Sequence, residues 1–168
     1  MNRLSLSILA LSFLAPALSG ARAEVPDTIA APGEILVATV HATGAQVYEC
    51  QFDLAGNLIW HFREPIATLV ADGKTVGRHF AGPIWEMDDG SAVSAKVSGR
   101  APGASSNDIP LLRLAATRLA GGKIAGVTTI QRLNTKGGVV EGACDSHGKL
   151  LSVPYSADYA FYTRNKGY

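Results

Sequence analysis

Polar and apolar residues alternate along much of the chain. Tyr48, Cys50 and Phe52 alternate with Val47, Glu49 and Gln51. Leu58, Trp60 and Phe62 alternate with Ile59, His61 and Arg63, and Val93, Ala95 and Val97 with Ser94, Lys96 and Ser98. Near the end, Tyr155, Ala157, Tyr159 and Phe161 alternate with Ser156, Asp158 and Ala160. Successive side chains of a strand point to opposite faces, so a period of two predicts strands with one buried face.

Turn chemistry separates these segments. Asp53-Leu54-Ala55-Gly56-Asn57 predicts a hairpin loop, and Asp72-Gly73-Lys74, Asp88-Asp89-Gly90-Ser91 and Lys136-Gly137-Gly138 predict three further turns. Each supplies glycine where φ must be positive, or an aspartate whose carboxylate caps the backbone. Leu111–Ala120 fits two patterns, a helix through Leu111, Ala115 and Leu119 or a strand through Leu112, Leu114 and Ala116. Pro110 and Gly121-Gly122 frame it like its neighbours, so it reads as a strand. Short strands at this spacing predict an all-β fold, an antiparallel sandwich or small barrel.

The first 23 residues read as a signal peptide instead. Asn2 and Arg3 form a short positive start, residues 4–18 are almost wholly apolar, and Ala21-Arg22-Ala23 is a small-x-small cleavage pattern. The apolar run is shorter than the roughly 20 residues of a spanning helix. Residues 24–32, rich in proline and alanine, read as an extended lead-in, and residues 33–168 as a single β-rich domain. The expected location is outside the cytoplasm, periplasmic or extracellular.

Of the fifteen basic residues, two fall in the leader, so thirteen face fourteen acidic ones in the mature chain. That balance lacks the basic stripe of a nucleic-acid binder or the charge that holds a protein on anionic lipid. There are two cysteines, Cys50 and Cys144. In an exported chain an even count reads as a disulfide.

No G-x-S-x-G, H-E-x-x-H, C-x-x-C or G-x-G-x-x-G is present. Gly73-Lys74-Thr75 resembles the end of a phosphate loop, but Thr68 stands where that motif needs its first glycine. His41, His61, His79 and His147 are not spaced as metal ligands. The reading therefore contains no cofactor and no metal. Arg132 and Asp158 fall in half-buried strands, where a charge needs a partner, so they are a candidate ion pair.

The densest chemistry runs from His79 to Ser91. It holds an imidazole, the Trp85 indole, and the carboxylates of Glu86, Asp88 and Asp89. An aromatic face covers the apolar side of a sugar ring, and carboxylates accept from its hydroxyls. His79, Trp85, Glu86 and Asp89 are thus candidate ligand-binding residues for a small polar or glycan-like molecule. Paired carboxylates also serve glycoside hydrolysis. The bland alternative makes Trp85 core, Asp88-Asp89-Gly90 only a turn, and Glu86 a solvated face residue. If the binding reading holds, Trp85→Ala should abolish binding without unfolding the protein.

The segment Gly77-Arg78-His79-Phe80-Ala81-Gly82-Pro83-Ile84-Trp85-Glu86, followed by Asp89-Gly90-Ser91, resembles the domain-of-unknown-function family numbered 3455, DUF3455. Ile109-Pro110-Leu111-Leu112-Arg113-Leu114, Ile130-Gln131-Arg132-Leu133-Asn134-Thr135-Lys136-Gly137-Gly138 and Val153-Pro154-Tyr155-Ser156-Ala157-Asp158-Tyr159-Ala160-Phe161-Tyr162 extend the resemblance over about residues 32–162. Cys50 and Cys144 fall where the family's pair is expected. Leu111 departs from the tryptophan expected in many relatives. The resemblance implies an exported bacterial or fungal protein without an established activity, so it transfers no catalytic residue. The leading expectation is a non-enzymatic binding or envelope-associated module. The alternatives are a secreted hydrolase using Glu86 and Asp89, and a structural protein with a protein partner. Ligand identity and oligomeric state are not legible.

Overall fold

The computed structural model describes residues 25–165. The expected signal peptide, 1–23, lies outside the described residues. Eight strands follow in order: β1 (Glu34–Phe52), β2 (Leu58–Ala71), β3 (Lys74–Phe80), β4 (Ile84–Met87), β5 (Ala92–Ala101), β6 (Leu111–Ala120), β7 (Thr129–Gly137) and β8 (Leu150–Arg164). Each is antiparallel to the next, and β8 returns to pair with β1, so the sheet closes into a barrel. This decides between sandwich and barrel. Closure gives each described strand two neighbours, although β2 meets β3 only over Ala67–Ala71 and β5 meets β4 only over Ala92–Ser94.

Three of the four expected turns close hairpins, but Lys136-Gly137-Gly138 ends strand β7 instead: Lys136 and Gly137 pair with Ser156 and Tyr155, and Gly138 bridges to Asp108. Asp72 and Gly73 both have positive φ, at 49° and 72°, which is the two-residue hairpin conformation that Asp-Gly favours. The Asp53 carboxylate accepts from the backbone N–H groups of Ala55 and Asn57, closing the β1–β2 loop. The strand reading of Leu111–Ala120 also holds. Leu112 and Leu114 are buried in the core, whereas Ala115 and Leu119, on the rejected helical stripe, are exposed.

Strand β1 is long because it serves two neighbours. It pairs with β8 from Glu34 to Glu49 and with β2 from His41 to Phe52. Gly44 sits where all three strands press together, and a Cβ there would overlap the Ile66 carbonyl oxygen and the Ala67 backbone. Opposite β1, the pairing steps from Val47↔Glu64 to Tyr48↔Phe62, which leaves Arg63 as the extra residue of a bulge. Such a bulge exchanges the faces of the strand beyond it and re-aims side chains.

In an up-and-down barrel, successive hairpins lie at alternate ends. The β2–β3, β4–β5 and β6–β7 connections share one end with the start of β1, and the other four connections crowd the opposite end. The first end is closed. Ile124 and Val127, from the connection before β7, are buried with Leu69, Val93, Ile130 and Phe161. At the opposite end the long β7–β8 connection is sewn to the β1–β2 hairpin. Cys144 N–H donates to Leu58, Trp60 N–H to Gly142, and Cys50 is disulfide-bonded to Cys144.

The lead-in needs correction. It does not run extended along the surface. Asp27–Ile29 forms a 3₁₀ turn, in which Ile29 N–H donates to Pro26. Ile29 is fully buried, and its carbonyl accepts from the Gln131 side chain at 2.6 Å. Burial of one isoleucine and this hydrogen bond fasten the segment. The Arg132–Asp158 pair is also absent. Asp158 faces away from the barrel interior and binds His41 Nδ1 at 2.7 Å and Asn134 at 2.7 Å. Arg132 lies opposite Tyr159, not Asp158, in the β7–β8 register and turns inward.

Candidate functional site

The open end of the barrel leads into a cavity of about 460 Å³. Its aliphatic wall comes from Leu112 and Leu114 of β6, Val97 of β5 and the neighbouring Ile109 and Pro110. Trp85 of β4 and Tyr159 of β8 supply aromatic surface deep inside, and Tyr48 and Phe62 supply it on the β1–β2 side. Polar groups converge from four strands and the bulge: Gln46, His79, Arg100, Arg132 and Arg63. No aspartate or glutamate is part of this lining. Eight strands enclose about enough room for side chains and one small ligand.

His79 and Trp85 face each other across β3 and β4 and stack at 4.2 Å between ring centroids. Trp85 also meets Tyr159 edge-on at 5.2 Å and Phe161 at 6.5 Å. It is only 1% exposed, so it belongs to the core as well as to the cavity wall. That burial argues against the expectation that Trp85→Ala would leave the fold intact. His79, 3% exposed, is held by the Ile84 carbonyl at 2.8 Å from Nδ1. A carbonyl only accepts, so Nδ1 carries the proton and Nε2 of the neutral ring is an acceptor.

Burial pulls the His79 pKa down to about 4, opposed by the Ile84 hydrogen bond and helped by the nearby Arg132 charge. The folded value lies below the ordinary 6.5, so between the two the unfolded chain binds a proton that the folded chain refuses. The stability that His79 contributes in its neutral form is complete above pH 6.5 and is lost as pH falls toward 4. The expected loss over that window is about 3 kcal/mol. Urea midpoints measured across this range should show it, and His79→Phe should flatten that part of the profile.

The remaining two sequence candidates stand apart from this cavity. Glu86 alternates with Trp85, so it lies on the outer wall, where both its carboxylate oxygens accept from Arg78 at 3.1 and 3.2 Å. Asp89 lies in the β4–β5 turn, at the closed end of the barrel. Its carboxylate accepts from the Ser91 hydroxyl and amide and from Lys123 N–H at 2.8 Å, and the Ser91 and Lys123 hydrogen bonds hold it near pKa 2. These bonds tie the β6–β7 connection over the floor. The structure thus brings His79 and Trp85 together and separates Glu86 and Asp89 from them.

Gln46 and Arg132 were missed as cavity residues. Gln46 is 3% exposed, and its Nε2 has no hydrogen-bond partner among the described residues. The Trp85 Nε1 is likewise buried without a partner among the described residues, whereas the Tyr159 hydroxyl is hydrogen-bonded to the Arg132 and Tyr155 side chains. Arg132 donates from Nε to the Pro110 carbonyl at 3.0 Å. Burial lowers its pKa, and the Tyr159 and Tyr155 hydroxyls beside it work the other way. Burial raises the pKa of both hydroxyls, so they remain neutral beside the guanidinium.

The chain matches the model of a family described as a protein of unknown function, DUF3455, over residues 30–163. No curated protein and no solved structure matches it.

Proposed function

Since the chain belongs to the DUF3455 family, whose description assigns no activity, we propose its role from the barrel itself: an exported, non-enzymatic binding protein that holds one small ligand in the cavity. The observation that carries this reading is the pair of buried polar atoms without a partner on residues of the cavity wall, Gln46 Nε2 and Trp85 Nε1. A buried donor left unpaired costs on the order of 1–3 kcal/mol. A fold that holds two such groups around about 460 Å³ of space is arranged for a guest that pairs with them.

His79 and Trp85 are then wall residues of the site, joined by Gln46 and Arg132. Glu86 on the outer wall and Asp89 in the floor turn do not line the cavity, which favours binding over hydrolysis by that pair. A glycan-like guest would find few acceptors for its hydroxyls here. The disulfide suits export to an oxidising compartment, and among the described residues no helix is long and apolar enough to cross a membrane.

The test is native mass spectrometry of protein taken from its own exported compartment, before and after denaturation. The native protein should lose a small-molecule mass on unfolding. Val97 lines the cavity yet is 43% exposed, so Val97→Trp should fill the mouth without disturbing the core. That variant should emerge empty, with a thermal midpoint within a few degrees of the native one. Equal loading of both proteins would place the guest elsewhere, and a bare native chain that also takes up no small amphiphile would remove the reading.

A further inference from the structure

We infer that the guest is an organic anion, with a carboxylate or phosphate head group held by Arg132 and an apolar tail laid along Trp85, Leu112 and Leu114. This rests on the cavity being a binding site.

Arg132 enters from the inner face of β7, and no carboxylate answers it. Its Nε is fixed on the Pro110 carbonyl, and its other charged neighbour, Arg100, is of like sign. Among the described residues neither arginine forms an ion pair. The two carboxylates nearest the bulge, Glu49 and Glu64, are engaged by Arg63 at 3.9 and 3.2 Å. Glu141 acts electrostatically on Tyr48, but it is exposed and not part of the wall.

A guanidinium drawn out of water without a counter-charge is costly, and an anion in the cavity would relieve the buried Arg132 and offset its repulsion by the exposed Arg100. With Nε anchored on Pro110 and the Tyr159 hydroxyl also hydrogen-bonded to the side chain, the guanidinium plane is oriented, and its remaining N–H groups can meet the oxygens of one head group. The unpaired donors on Gln46 and Trp85 add to the same demand for acceptors. A cationic guest would meet no carboxylate in the wall. Deeper contact is apolar, since Leu112 and Leu114 belong to the buried core cluster with Trp85. The cavity volume admits a chain of moderate length rather than a large lipid.

Titration calorimetry of the full exported protein with octanoate, octyl phosphate and octan-1-ol tests this directly. Either octyl anion should bind at least ten-fold more tightly than the alcohol, with an affinity that falls as salt is added. The tighter of the two anions identifies the head group. Arg132→Gln should bring the anions down to the alcohol's affinity, and Arg132→Lys should restore part of the difference. If Arg132→Gln does not fold, Arg100→Gln at the mouth should still reduce the anion preference several-fold, whereas Arg78→Gln on the outer wall should leave it intact. Equal binding of anion and alcohol, blocked by Val97→Trp, would overturn the anion but keep the cavity as a binding site. No binding of any octyl compound to the native protein would overturn both.

Discussion

Trp85→Ala should destabilise the protein by about 3–5 kcal/mol, the range for truncating a large buried aromatic residue. The indole is 1% exposed and packs on three aromatic side chains, His79, Tyr159 and Phe161. Its removal deletes apolar burial, enlarges a space that is already open, and frees the stacked imidazole. Against these losses stands one small gain, because the unpaired Nε1 disappears with the ring. For a chain of this size the expected fall in thermal midpoint is roughly 10–15 °C. Trp85→Phe, which keeps a flat ring against His79, should recover much of the loss. A Trp85→Ala variant that melted within two or three degrees of the native protein would show that the residue is not part of the core. The same burial makes that substitution a poor probe of ligand binding, since unfolding and lost affinity would be confounded. Val97→Trp and Arg132→Gln act from the wall and separate the two.

The strands and turns were legible because they depend on neighbours in sequence. The alternation that buries Tyr155, Ala157, Tyr159 and Phe161 is visible in the chain, and so is the Asp72-Gly73 turn. Barrel closure was not, because the pairing of β1 with β8 joins residues more than a hundred positions apart. The candidate site was partly legible for a related reason. His79 to Ser91 is one continuous stretch, but in a barrel continuity does not mean a common surface. Residues 85 and 86 face opposite sides of the wall, and the turn that holds Asp89 lies at the end away from the cavity. Alternation held half of the signal against an Arg132–Asp158 pair, since it puts Asp158 on the face opposite Tyr159; that Arg132 lies across from Tyr159 is set by the β7–β8 register, which the sequence does not show. Gln46 carried no local signal. It became a site residue only when seven other strands closed around it.

Loss of the Cys50–Cys144 bridge should cost a comparable amount by a different route. The two residues are 94 positions apart, and in the chain-entropy model a loop of that length restricts the unfolded chain by about 4–5 kcal/mol. That is more than a thousand-fold in the folding equilibrium. The native structure adds little to oppose this, because backbone hydrogen bonds already seat both ends. Cys50 N–H donates to Lys149, Gly148 N–H to Cys50, and Cys144 N–H to Leu58. The β7–β8 connection should therefore stay docked in the folded state when the bridge is reduced, and the effect should fall on the unfolded state. In urea titrations the Cys50→Ala/Cys144→Ala protein, and the native protein in reductant, should both unfold at a lower midpoint by the same amount. Agreement between the two would assign the loss to the crosslink. A double variant much less stable than the reduced native protein would assign the excess to packing at Cys50, which is fully buried. If reduction left the midpoint unchanged, the crosslink would not be a source of stability and the bridge would not tie folding to an oxidising compartment.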